Sequence, residues 1–146
     1  MTNVAIIFGL LVAPALVAYL FHLNVTMGGR VGIGVVFLFT AIGHFFKTEA
    51  MSAMLPPFMP ARRGLIYVSG VVEVLFAIAA VALPNLRSVG WCIIIYLMAI
   101  FPSNIYAAVQ RIPFGGHSIG PRYLLVRLPL QVLLIGWTYS FAVKGL

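Results

Sequence analysis

Five stretches of this chain are apolar over nearly the length a helix needs to cross a bilayer. They lie at about residues 4–21, 28–46, 65–83, 89–109 and 123–143. About 20 mostly apolar helical residues span the hydrocarbon core. Of the 146 residues, 63% are hydrophobic and 8% charged, whereas a soluble domain carries about 25% charged residues. Such a chain cannot cover a water-facing surface. The composition therefore predicts an all-α, polytopic membrane bundle, a single transmembrane domain over residues 1–146 in contact with the lipid bilayer.

Short connections join most of the runs, but 47–64 and 110–122 are longer. In a five-span weave both fall on one side, side A, together with the N-terminus. Side A gathers Lys47, Arg62, Arg63, Arg111 and Arg122; the opposite side B has Arg30, Arg87 and Lys144. The excess of basic residues places side A, and the N-terminus, in the cytoplasm. Tyr67, Tyr106 and Tyr123 fall near side-A ends, and Tyr19, Trp91, Trp137 and Tyr139 near side-B ends, as two interfacial belts would. The net charge of +7 is thus membrane topology. No basic helix or tail follows a phosphate backbone, so no nucleic-acid partner is expected. The start of the chain lacks a basic region and a small-residue cleavage site, so no cleaved signal peptide is expected.

Local motifs exclude several chemistries. The one cysteine, Cys92, forms neither an internal disulfide nor a CxxC pair; its neighbours WCIIIY predict a small packing residue. His22, His44 and His117 lack metal-ligand spacing, so no metal site is expected. The glycines at 115 and 116 lack the strand–helix context and lysine of a phosphate loop, and His117, in the same Gly- and Pro-rich connection, is expected to be solvated. Pro14, Pro102 and Pro129 punctuate the spans and predict kinks. Pro102 frees a carbonyl beside Ser103 and Asn104, either as a site wall or as a packing kink. Met51, Met54, Leu55, Phe58 and Met59 are too apolar for an aqueous loop. They predict a short interfacial piece on side A, either a lid or a linker against the membrane.

The chain has two acidic residues, Glu49 and Glu73, and Glu73 sits inside the third run. An ionisable residue in a span is costly and marks a functional site with a partner to be found. At 1.5 Å per residue, Glu73 lies about 12 Å in from side A, Asn104 about 9 Å, Arg127 about 6 Å and Gln131 about 12 Å, with His44 near the side-A end of the second run. All five occupy the side-A half. Arg127 and Gln131 share a helix face, as do Thr40 and His44. Ser69, Glu73, Ala77 and Ala80 form a small-residue stripe, which predicts that the third span is central and points Glu73 inward. Arg127 is the expected charge partner of Glu73, with His44 second. The cluster is either a buried clasp that fixes helix register or a pocket for a polar headgroup with an apolar tail among the helices.

In order along the chain, RVGIGVVFLFTAIGHFF, LPPFMP, YVSGVVE, LPNLR, FPSNIYAA and RLPLQ resemble the DoxX family of small membrane proteins over roughly residues 30–137. The resemblance implies a four-helix core in the plasma membrane, here with one extra N-terminal transmembrane helix. Its motif polar positions are His44, Glu73, Asn104, Arg127 and Gln131. Members are similar to a small subunit associated with thiosulfate:quinone oxidoreduction, to a component of a mycobacterial membrane oxidoreductase complex and, more distantly, to methylamine-utilisation proteins and receptor chaperones. No one chemistry follows, and the resemblance leaves open whether the chain is an enzyme.

Three functions compete. The first is an accessory, ligand-binding subunit of a membrane oxidoreductase system, holding a small amphipathic molecule, quinone or lipid. Quinone is then the one candidate cofactor. Glu73 and Arg127 would orient polar groups, His44 would donate or relay a proton, and Asn104 and Gln131 would hydrogen-bond the ligand. The second is a non-catalytic assembly or chaperone protein with a structural polar cluster. The third, a small transporter, lacks a visible inverted repeat. Gly28 and Gly32 form a small-xxx-small pattern that suits either a homo-oligomer contact or internal packing.

Overall fold

The computed structural model describes residues 2–145. The described residues form helices and no strands: α1 (Thr2–Leu20), α2 (Val25–Phe46), the short α3 (Thr48–Ser52), α4 (Arg62–Ala82), α5 (Arg87–Val109), a 3-10 segment (His117–Tyr123), and α6 (Leu124–Thr138), which continues as a π-helical segment (Tyr139–Lys144). Five helices, the last running from the 3-10 segment to the π segment, are long and apolar enough to cross a membrane. The 21 residues of α4 rise about 31 Å, the thickness of the hydrocarbon core. Phe8, Leu16, Ile42, Val68, Leu75, Ile78, Ile95 and Val132 are all about half exposed or more, spread over every long helix. In water such an apolar mantle would aggregate; in a bilayer it is the lipid-facing surface. This is a multi-pass membrane protein.

Helix ends fall where the local chemistry stops the backbone ladder. Asn24 caps α2, its side chain accepting from the Met27 amide at 2.9 Å. Ala61, in the left-handed conformation after Pro60, turns the chain into α4. Pro84 ends α4 one residue past its cap because it disfavours helix in the residue before it. The last α4 carbonyls are satisfied from α2. Arg30, buried in the first turns of α2, donates from Nε to Ala80 O at 2.9 Å and from Nη2 to Leu83 O. A cation on a helix C-terminus opposes the dipole there.

The most enclosed helix is α2. Half of its span is buried, against 28% for α4, so the third span is not the centre of the bundle. Glycines explain the exchange. A Cβ on Gly28 would come within 2.8 Å of Pro14 O, and one on Gly32 would run into Leu11 O, so this pair seats α1 against α2. The small-xxx-small pattern thus serves internal packing. On other faces of α2, Gly34 lies against the Ala77 carbonyl of α4, and Gly29 against the Phe141 ring of the π segment. The small-residue stripe on α4 suggested the centre, and of the longer set on α2 only Gly28 and Gly32 stood out in the sequence. Leu11, Ile33, Phe37, Ala80, Ile93 and Leu97 form the apolar core between the helices. Cys92 is exposed on the lipid side of α5 rather than packed inside, because Ile93 and Ile94 take the inward positions of its turn.

Gly32→Ala should lower the thermal midpoint in detergent by a shift equivalent to about 1–3 kcal/mol, the range for overpacking. Gly136→Ala, where a Cβ meets nothing within 4 Å, should be neutral or stabilising by up to about 1 kcal/mol. Equal effects of the two would remove the steric account of α1–α2 packing.

Candidate functional site

The site is built where α2, α4 and α5 approach one another in the side-A half. Gly70 on α4 makes room for α2: a Cβ there would lie 2.8 Å from His44 Cβ. His44 is therefore held flat against α4. Its Nδ1 lies 3.0 Å from Ile66 O and 2.8 Å from Ser69 Oγ, and Ser69 itself donates to Ile66 O at 2.9 Å. A carbonyl only accepts, so Nδ1 carries the hydrogen. That turns Nε2 toward Glu73, 3.4 Å from Oε1. Tyr96 of α5 donates to the same oxygen at 2.8 Å. Glu73 is 3% exposed, and its Oε2 has no hydrogen-bond partner.

This arrangement has a proton consequence. With Nδ1 already donating, a hydrogen bond between His44 Nε2 and Glu73 Oε1 needs one further proton, held by either group. The pair then carries no net charge in either form, which is how a carboxyl is tolerated at this depth.

A cavity of about 300 Å³ opens beside the pair. Glu73, His44, Tyr96, Thr40, Ser69, Ser103, Asn104 and Arg127 supply its polar wall, while Phe37, Leu97, Ile100 and Leu134 line its apolar end. Met51, Met54, Leu55 and Met59 of the apolar segment also line the cavity. Phe58 instead points away, 85% exposed. α4 and α5 pack sparsely against each other compared with α2 and α4, and the cavity occupies the space that this leaves.

Of the five polar residues expected to converge, four line the cavity: His44, Glu73, Asn104 and Arg127. Gln131 does not. It is buried behind the wall, and its Nε2 donates to Leu97 O at 2.6 Å, strapping α6 to α5. Its Oε1 has no partner. Asn104 bonds its own helix, Nδ2 to Ile100 O at 3.2 Å, and Thr40 likewise bonds Val36 O and Phe37 O. Pro102 is exposed while Ser103 and Asn104 face inward, so the α5 wall is made by side chains of the opposite face.

The expected Glu73–Arg127 ion pair is not formed within 4 Å; the second-choice partner, His44, takes that place. Arg127 stays within electrostatic range of Glu73 and Tyr123 but makes no hydrogen bond or ion pair among the described residues. One turn of α6 separates it from the depth of Glu73, while Gly70 brings His44 into direct reach. His117 is buried rather than solvated: its Nδ1 bonds Phe114 O at 2.6 Å, and its ring lies 4.6 Å from that of Tyr123. It stands outside the cavity lining. Tyr96 is the functional side chain that sequence reasoning missed. Its signal was position: a tyrosine in mid-span, away from both interfacial belts, has to find a partner for its hydroxyl. No cluster of three or more His, Cys, Asp or Glu suited to a metal occurs among the described residues.

Residues 33–142 match the family model described as a domain of unknown function (DUF8561), which leaves α1 outside the matched segment. No curated protein and no solved structure matches the chain.

His44→Leu should cost about 3–5 kcal/mol, because it strands a buried acid. The double variant His44→Leu/Glu73→Leu should recover at least half of that loss, since apolar replacement of a buried pair is often neutral. Reversible unfolding in mixed detergent micelles measures both. Simple additivity of the two substitutions would mean that His44 and Glu73 are not coupled.

Proposed function

As the chain belongs to the family described as a domain of unknown function (DUF8561), we propose from its own geometry that it binds a small amphipathic molecule, a quinone/quinol or a lipid, in the side-A cavity. One observation carries this reading. Glu73, whose buried Oε2 has no hydrogen-bond partner among the described residues, and Arg127, which makes no ion pair among them, line one cavity together with Phe37, Leu97 and Leu134. A headgroup that donates a hydroxyl to Glu73 and offers an oxygen to Arg127 satisfies both, and its tail lies along Phe37, Leu97 and Leu134. A quinol has those groups, with the proton-sharing His44–Glu73 pair beside its hydroxyl. Asn104 edges the headgroup. Gln131, bonded to Leu97 O, supports the wall instead of the ligand.

The order of motifs shared with DoxX-like proteins agrees with an accessory role in a membrane oxidoreductase system. That relationship, and a partner oxidoreductase subunit, remain part of the proposal. We place the protein in the plasma (inner) membrane with the N-terminus and side A in the cytoplasm, supported by the basic excess on that side. The rival reading, a non-catalytic assembly protein, draws its support from the Gln131 strap and from the bonds that His44, Ser69 and Ile66 make among themselves.

Protein extracted gently from its native membrane should release a quinone or lipid on native mass spectrometry, and added decylubiquinol should raise its thermal midpoint. Arg127→Gln should weaken that binding about tenfold or more, the equivalent of one lost charge-assisted hydrogen bond, while leaving the unliganded midpoint near that of wild type. If wild type retains nothing and responds to neither decylubiquinol nor phospholipid, the cavity is structural. For topology, single cysteines placed in the 47–61 loop of a Cys92→Ser background should react with impermeant maleimide only after the cells are opened. Labelling of intact cells would invert the orientation.

A further inference from the structure

Side B carries a second cavity, which the amphiphile reading does not use. It is about 330 Å³ and lies between the α4–α5 connection, the first turns of α2 and the end of the π segment. Three cationic residues line it: Arg30, Arg87 and Lys144. Neither side-chain carboxylate of the chain is near. Glu49 is paired with Arg63 at 2.7 Å, and Glu73 with His44 and Tyr96. Arg30 is only 9% exposed. Two of its five N–H groups cap α4 through Ala80 O and Leu83 O, and the others have no partner among the described residues. Lys144 rests over the Tyr139 ring at 5.5 Å, and Arg87 is exposed. The amino end of α5 lies at the same space; its cap position, Leu86, supplies no side-chain acceptor, and Asn85 Oδ1 accepts from the Arg87 amide at 3.1 Å.

The carbonyls of α4 offset part of the Arg30 charge. Among the described residues no carboxylate stands against Arg87 or Lys144, at the level where α2 begins and α4 ends. Cations that converge with a helix N-terminus favour an anion with several acceptor oxygens. We propose that the side-B cavity binds a phosphate group, with the spare Arg30 donors as its floor and Arg87 and Lys144 closing over it. This site is independent of the side-A cavity. Its phosphate comes either from an anionic phospholipid headgroup or from free phosphate.

The test uses the full chain in a neutral detergent, with phosphatidylglycerol, phosphatidylcholine and inorganic phosphate as probes. Native mass spectrometry and thermal midpoints are the readouts. Phosphatidylglycerol should bind saturably and raise the midpoint, and phosphatidylcholine should not. Arg87→Gln/Lys144→Gln, at two exposed positions, should weaken binding about tenfold or more, as loss of two charge contacts implies. Arg62→Gln/Arg63→Gln removes the same charge from side A and should bind as wild type. If inorganic phosphate reproduces the effect with the same variant dependence, the site takes the free anion; if phosphatidylglycerol alone acts, it takes the lipid. The single variants Arg87→Gln and Lys144→Gln, each weaker than wild type, give the same reading should the double variant fold poorly. Absence of binding by both phosphate probes, or equal loss in the side-A control, overturns the proposal.

Discussion

A carboxyl group buried in a hydrocarbon-length helix has to be neutralised where it stands, and the way Glu73 meets that demand ties three helices together. His44 comes from α2, Tyr96 from α5, and both reach one oxygen of Glu73 on α4. The imidazole is itself fixed by Ile66 and Ser69 on α4. Only Gly70 lets α2 approach closely enough for this. The polar contact thus depends on a missing side chain, and the helix contact depends on the polar one. Their joint effect is a neutral pair, tolerable in a low-dielectric interior where an isolated charge is not.

With that pair closed, the remaining polarity of the side-A cavity can be sorted. Asn104 and Thr40 spend their donors on their own helices. Tyr96 spends its hydroxyl on Glu73. Among the described residues, groups without a hydrogen-bond partner remain at Glu73 Oε2, the Arg127 guanidinium, the Ser103 hydroxyl and Asn104 Oδ1. An unpaired buried group costs about 1–3 kcal/mol, and Gln131 Oε1, outside the cavity lining, is unpaired among the described residues as well. The cluster is bonded across α2, α4 and α5, and Glu73, Tyr96, Asn104 and Arg127 line the cavity beside it.

Much of this was legible in advance, for identifiable reasons. Span positions follow from hydropathy, which the bilayer enforces with little interference from tertiary context. Polar depth followed from helical rise, so four of the five residues do line one cavity. Errors arose where a decision depended on distances between helices. Charge alone favoured Arg127 as the partner of Glu73, but the glycine contact brought His44 nearer. Small residues on α4 suggested the centre, while α2 carries Gly28 and Gly32 against α1, Gly34 against α4 and Gly29 against Phe141. His117 looked like a loop residue, but the 3-10 segment folds it under Tyr123. Gln131 shares a face with Arg127 in sequence, but one turn deeper that face meets the α5 backbone and not the cavity.

The two ends of the bundle handle their cations differently, and the difference follows from where the acids are. Side A holds both side-chain carboxylates: Glu49 meets Arg63 at the surface, and Glu73 meets His44 inside. Side B has none, so Arg30 is stabilised by backbone carbonyls at the end of α4. That arrangement holds the helices but does not neutralise a full charge, because a helix terminus presents only about half a unit charge. Arg87 and Lys144 add to the imbalance beside the same cavity. At a membrane surface, anions are supplied by the lipid headgroups themselves. Among the described residues, the α2–α4 staple at side B therefore leaves positive charge beside this cavity, whereas the side-A pair is completed by Glu73.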